Sequence, residues 1–279
     1  MAYPTVNGPY GLRPVNLLGG QPFAGSTRMY PIRYGYAANI GYGDPVILVN
    51  GAINRGAITT DASGVAWVGV FLGCSYTNPS TKQKLFSQYW PTGTLAGDGV
   101  AYVSDDPDAV YKVAVCSATT VIGATSESFI GQNMSLINNL PNTTTGNSQV
   151  AALAYSTTGA IPVTQQPLRV LDIVRETAIT TAVPYTSTST VTITVPALTT
   201  ALVAGSGVAT LAANGQLMQT GAYTIAAYAI GATAIVLNVD PGATLLPNSA
   251  GTLIVTQVTE VLAKINFGSH RYNIAAAIA

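Results

Sequence analysis

Charge is what this chain most conspicuously lacks. Eleven Lys and Arg, eleven Asp and Glu and one His are spread over 279 residues, so 8% is charged and the net charge is zero. An ordinary soluble domain carries roughly 25% charge. No basic stripe exists, which removes the electrostatic footprint of a nucleic-acid binder. Long apolar runs are missing too. Although 48% of residues are apolar, no stretch reaches the roughly 18–20 residues that cross a bilayer. The start, MAYPTVNGPYG, has neither a basic nor an apolar leader region and reads as no signal peptide. Only two cysteines are present, Cys74 and Cys116, in the strand-like runs VFLGCSY and KVAVCSA. They read as buried thiols, and spacing alone leaves a cross-strand disulfide open.

The scarcity of acids, histidine and cysteine also limits chemistry. A Ser/His/Asp triad would have to use His270, but no GxSxG elbow is present and Arg271 stands beside it. One histidine and two separated cysteines do not make a zinc site. Asp105, Asp106 and Asp108 resemble hard oxygen ligands, yet the Asp-x-Asp-x-Asp-Gly loop and its later Glu are missing. With Pro107 they are ordinary turn residues. Glycoside hydrolysis needs two acids about 5–10 Å apart in a cleft, and the glutamates are only Glu127, Glu176 and Glu260. Trp67, Trp90 and the tyrosines are suited to stacking on sugars, but core and interface packing is their commoner use. The glycines form no phosphate cradle, for GxxxxGK[ST] is absent. The chain therefore reads as a non-enzyme with no cofactor and no metal.

What is abundant is Thr, Ser, Asn, Gln, Tyr and Gly, an uncharged surface suited to a protein held in an assembly. Residues 1–29 are rich in proline and glycine, which exclude a helix and favour turns and extended backbone. This arm carries Tyr3, Tyr10, Leu12, Val15, Leu17, Leu18 and Phe23. It is too apolar to float free and is expected on its own domain or on another subunit. From Tyr30 onward short strands are expected at Met29–Tyr36, Val46–Val49, Val65–Tyr76, Leu85–Trp90, Val100–Val103, Val110–Cys116 and Val150–Ala154. Asn50-Gly51 is the strongest hairpin signal, because a type I′ turn needs positive φ at both central residues. Many short strands at close spacing point to a barrel or sandwich. One helix is expected near Thr125–Ile137, weakened by Gly131 at roughly 1 kcal/mol against Ala.

Leu168–Arg175 reads as a strand covered on both faces, with Asp172 needing a partner if buried. Beyond it, residues 177–259 contain a single charge, Asp240. Thr190–Val195 alternates perfectly between apolar residues and threonine, and Tyr223–Tyr228, Ala234–Val239 and Thr252–Thr256 do likewise. Charge returns in Glu260–Phe267, a second strand, with Val261, Ala263, Ile265 and Phe267 on one face and Leu262, Lys264 and Asn266 on the other. The fold class expected is mainly β. It comprises an arm (1–29), a discontinuous β-barrel or sandwich base domain (30–176 plus 260–279) and an inserted small β-domain (177–259).

Several stretches resemble the structural proteins of tailed bacteriophages. They are Tyr10–Val15 (YGLRPV), Gly19–Gly25 (GGQPFAG), Arg28–Ile32 (RMYPI), Ser104–Val113, Leu168–Arg175 and Glu260–Tyr272. The likeness covers the first 175 residues and the last 20 in patches, and its motifs are packing and turn residues. In that group the two strands resembling 168–175 and 260–267 follow each other closely, so residues 177–259 fall outside it. The resemblance implies a capsid decoration, or cement, protein on the capsid exterior, assembled in the host cytoplasm. Its implied partners are the major capsid protein and itself, as a homotrimer or dimer, with no nucleic acid and no membrane. The candidate contact residues are Tyr3, Tyr10, Leu12, Arg13, Val15, Leu17, Leu18 and Phe23. The competing expectation is a head fibre, tail component or receptor-binding protein whose 177–259 domain meets host-surface glycans.

Overall fold

The computed structural model describes residues 6–56, 67–153, 166–187, 192–203, 206–211, 223–239 and 250–266. The strands they form are β1 (Arg13–Leu17), β2 (Arg28–Pro31), β3 (Pro45–Val49), β4 (Ala52–Arg55), β5 (Trp67–Thr77), β6 (Lys84–Ser87), β7 (Val100–Ser104), β8 (Ala109–Ala118), β9 (Val121–Ile122) and β10 (Asn133–Met134). They continue as β11 (Leu136–Ile137), β12 (Ala151–Leu153), β13 (Leu168–Ile173), β14 (Ala178–Ser187), β15 (Thr192–Thr194), β16 (Gly207–Leu211), β17 (Tyr223–Ile225), β18 (Ala234–Val239), β19 (Ala250–Val258) and β20 (Glu260–Ile265). The protein is mainly β. The chain divides into two compact units. Among the described residues the larger is built from 6–123, 131–172 and 261–266, the smaller from 124–130 and 173–260.

In the larger unit one sheet runs β2-β7-β5-β3-β4, with β6 added to β5. The Asn50-Gly51 turn joins β3 to β4 with φ of 49° and 80°, the positive pair that a type I′ hairpin requires. A parallel bridge between Ile32 and Ile53 brings the β2 end of the sheet round to β4. The curl encloses Ile32, Ile40, Val46, Phe71, Trp90 and Val103, among others. The second sheet runs β10-β13-β20-β8-β12-β11, with β1 and β9 also on β8. Its two ends, β10 and β11, are separated only by Ser135, so this sheet also curls back toward itself. Curling hides the unpaired backbone groups that make open sheet edges aggregate.

The smaller unit holds a closed ring, β14-β15-β18-β17-β16-β19. The longest seam pairs Ala178 with Val258 through to Thr186 with Ala250. Alternation does the sorting: Ile193, Leu253 and Val255 point into the ring and are buried, while Thr194 and Thr256 are exposed. A ring of six strands is narrow enough for such side chains to fill. The sequence gives no clear sign of β14 because Pro184 sits inside it. Pro184 pairs with Thr252, whereas β15 meets β14 only at Thr186 and Ser187. Among the described residues Pro184 thus falls where one side of β14 has no strand partner, a place that tolerates proline.

One expectation is overturned and three are sharpened. No α-helix forms at 125–137. A single 3-10 turn at Glu127–Phe129 is followed by Gly131 at φ 82°, whose N–H donates to the Val170 carbonyl (2.9 Å). The chain then joins β13 as a strand, so sheet pairing takes the backbone groups a helix needs. The arm, expected on its own domain or on another subunit, lies over its described part on its own unit, where β1 pairs antiparallel with β8, Arg13 opposite Lys112 and Leu17 opposite Ala109. On β13 both faces carry buried residues, Leu168 and Val170 on one and Ile173 on the other, while Arg169 and Asp172 are exposed. On β20 Lys264 is buried along with Val261, Ala263 and Ile265, its ammonium 3.4 Å from Asp108 Oδ1. Phe267 lies outside the described residues.

Candidate interaction surfaces

The arm motif is held from inside its own unit. Gly11 N–H donates to the Val150 carbonyl (3.0 Å) and Leu12 N–H to the Gly43 carbonyl (2.9 Å). Leu12 is fully buried. The Arg13 guanidinium lies 4.2 Å from the centroid of the Tyr42 ring and 5.9 Å from that of Tyr10. It also donates to Asn147 Oδ1 (2.8 Å). Cation–π packing of this kind contributes about 0.5–2 kcal/mol. Tyr10 and Arg13 are therefore engaged within the chain, and Leu12 presents nothing outward. Val15 and Leu18 are exposed, and Leu17 and Phe23 half-buried. Tyr3 lies outside the described residues.

Behind the arm sits a buried polar cluster. Asp44 Oδ2 accepts from Arg55 Nε (2.9 Å) and from Gly41 N–H (2.8 Å), and Oδ1 accepts from Ser148 Oγ (2.6 Å). Arg55 also donates to the Asn139 carbonyl. Burial pushes the Asp44 carboxyl above its ordinary range, opposed by the Arg55 charge and by the Ser148 and Gly41 donors. The cluster links β3, β4 and the 139–150 loop.

The residues considered for catalysis are occupied or dispersed. Asp105 pairs with Arg28 (3.1 Å) and accepts from the Tyr30 hydroxyl (2.8 Å). Asp106 accepts from Asp108 N–H (2.8 Å), a turn contact. Among the described residues no group of three or more His, Cys, Asp or Glu is placed to hold a metal. His270 lies outside them. Glu127 pairs with Arg175 and Glu260 is buried. Trp67 and Trp90 are fully buried, Trp90 edge-on to Tyr76 with ring centroids 5.2 Å apart, so they pack rather than bind.

Both cysteines are free and buried. Burial raises the thiol of Cys74 to about 12 and that of Cys116 to about 11. Thiolate is the reactive form, so neither should react with a disulfide reagent at about pH 8 while the protein is folded, and both should react in denaturant. A thiol titrating rapidly in native protein would contradict this placement.

Several large apolar side chains remain exposed. Phe86 is 76% exposed, Leu140 74% and Met29 67%. Phe86 borders an open groove of about 370 Å³, lined also by Tyr42, Leu72, Gly73, Gln88 and Tyr102, and no lining residue is charged. The sequence signal for this face was Lys84-Leu85-Phe86-Ser87, where alternation places Lys84 and Phe86 outward together. No α-helix long and apolar enough to cross a membrane occurs among the described residues. No protein-family model, curated protein or solved structure matches this chain.

Proposed function

We propose that this protein is a non-enzymatic structural component of a tailed-phage virion, one that binds the outer surface of the assembled capsid and stabilises it. The observation that carries this is a surface with large apolar side chains left exposed, Phe86, Leu140 and Met29 above all, on a chain that is only 8% charged. Exposed apolar side chains with little charge around them are what interface cores are made of. The phage-like motifs at Tyr10–Val15, Arg28–Ile32 and Ser104–Val113 support the same reading. A cement protein acts by mass action, because it binds the assembled shell and not the separated subunits. At a free concentration about a hundred times Kd each site contributes about 2.7 kcal/mol. The partners are the major capsid protein and further copies of this chain, as a homotrimer or dimer. The test is to add purified protein to mature heads that lack it, sediment them and record head melting. Bound protein and a higher melting temperature are expected, and bare heads with unchanged melting reject the proposal.

A second reading is supported by the closed ring of 178–258. Its outward threonines, Thr180, Thr186, Thr194 and Thr256, together with the exposed Ile230 and Val236, suit an adhesive domain that meets host-surface glycans. Thr259 Oγ1 donates to the Thr177 carbonyl (3.3 Å), so the two ends of this segment are adjacent and excision of 177–259 leaves them ready to join. If the shortened protein still coats heads while virions carrying it fail to adsorb, the ring is adhesive. If adsorption is unchanged, the glycan reading falls.

A further inference from the structure

We propose that an extended, uncharged segment of the capsid shell protein adds to the free edge of β6 and seats an apolar side chain in the groove above Gly73. This rests on the decoration reading and names the contact through which it would operate. Among the described residues β6 pairs with β5 and with no other strand. The rest of its sheet curls round through the Ile32–Ile53 bridge, so β6 offers a backbone edge that its neighbours do not. A strand edge supplies main-chain affinity to an extended peptide, and side-chain pockets beside it supply selectivity.

The pocket follows from the register. Met29 is opposite Tyr102, Tyr102 is opposite Gly73, and Ser75 is opposite Phe86. Cross-strand partners project from the same face, so Met29, Tyr102, Ser75 and Phe86 form one row across β2, β7, β5 and β6. The Tyr102 hydroxyl donates to Ser75 Oγ (3.2 Å), which fixes the ring in that row. Gly73 interrupts the row without a side chain. It stands at a bulge in β5 with φ 136°, a conformation that L side chains rarely adopt. The gap between Tyr102 and Phe86 is the groove.

Charge selects the occupant. The lining carries no charge, and the charge on β6 itself, Lys84, is neutralised by Asp98 at 2.8 Å. An acidic or basic segment would lose solvation there and gain no counter-charge, whereas an uncharged strand with an apolar side chain loses little. Phe86 would be the central anchor, the kind of exposed aromatic that carries most of an interface's energy.

The experiment compares the full-length protein with Phe86→Asp and with Ile230→Asp, an equally exposed apolar position on the ring, in the head-sedimentation assay. Melting of the isolated proteins is recorded alongside. Phe86→Asp should reduce head occupancy about tenfold or more at unchanged melting of the free protein. Ile230→Asp should bind as the parent does. If the parent coats heads and Phe86→Asp coats them equally, the groove inference alone is overturned. An equal loss from Ile230→Asp also overturns it, because the contact then lies elsewhere. If the parent leaves heads bare, the decoration reading falls and this inference falls with it.

Discussion

Arg55→Ala lowers the unfolding free energy by about 3–5 kcal/mol, the cost of leaving one member of a buried ion pair without the other. The Arg55 and Asp44 side chains are 6% and 0% exposed, so water cannot replace the guanidinium. The loss is not limited to one bond, since the Arg55 guanidinium also holds the Asn139 carbonyl. Asp44 keeps the Ser148 and Gly41 donors in the variant, which still favour the carboxylate but leave its buried charge without a counter-ion. That gives the pH dependence a definite sign. Burial already raises the Asp44 carboxyl, and removing the cation that opposes burial raises it further. A carboxyl whose folded value exceeds its unfolded value of about 3.9 stabilises most at low pH and loses that contribution as pH rises through the folded value. The deficit of Arg55→Ala should therefore be larger at about pH 8 than at about pH 5. Denaturant titrations at the two values check it. A deficit below about 1 kcal/mol, or one that shrinks with rising pH, would show the pair to be solvated.

Gly11→Ala is expected to destabilise by about 2–5 kcal/mol, combining roughly 1–2 kcal/mol for a left-handed residue with roughly 1–3 kcal/mol for overpacking. Gly11 has φ 79°. A Cβ there would stand 2.5 Å from Ser148 Cβ and 2.8 Å from the Gly43 carbonyl oxygen. Neither neighbour can retreat cheaply, because Ser148 is tied to Asp44 and Gly43 accepts from Leu12 N–H. The same substitution at Gly20, also at positive φ (80°) but with nothing within 4 Å, should show only the backbone part, about 1–2 kcal/mol. Comparing the two separates clash from conformation. Equal losses at both positions would mean that the approach to Ser148 relaxes freely.

The pair of glycine positions illustrates how legible the fold was. Asn50-Gly51 announced its hairpin, because the turn is a property of two adjacent residues. Ile193 between Thr192 and Thr194 announced a half-buried strand, because alternation is local as well. The 3-10 turn at Glu127–Phe129 misled, since a locally acceptable helix start was outcompeted by pairing with β13, about 35 residues away along the chain. Lys264 was legible only in part. Alternation set it apart from Val261 and Ala263, but β20 lies inside its sheet, between β13 and β8, where both faces are covered and Asp108 supplies the counter-charge.

For the surfaces, the sequence marked the arm as apolar and left open whether its own domain or another subunit covers it. Much of the cover is the chain itself, with Leu12 in the core and Arg13 between two tyrosine rings. The Phe86 groove went unmarked because its parts come from β5, β6, β7 and the loop bearing Tyr42, and no short window contains them.

By itself, then, the sequence determined the β class, the change of composition at residue 177, the Asn50-Gly51 hairpin and the scarcity of catalytic groups. Each follows from residue type or from a period of two. Tertiary structure alone decided that 178–258 closes into a ring, that β1 docks on β8, that Lys264 is buried, and that Tyr102, Gly73 and Phe86 meet across one sheet face. Those outcomes depend on register and closure between strands far apart in the chain, and the free energy of such pairing belongs to both partners at once.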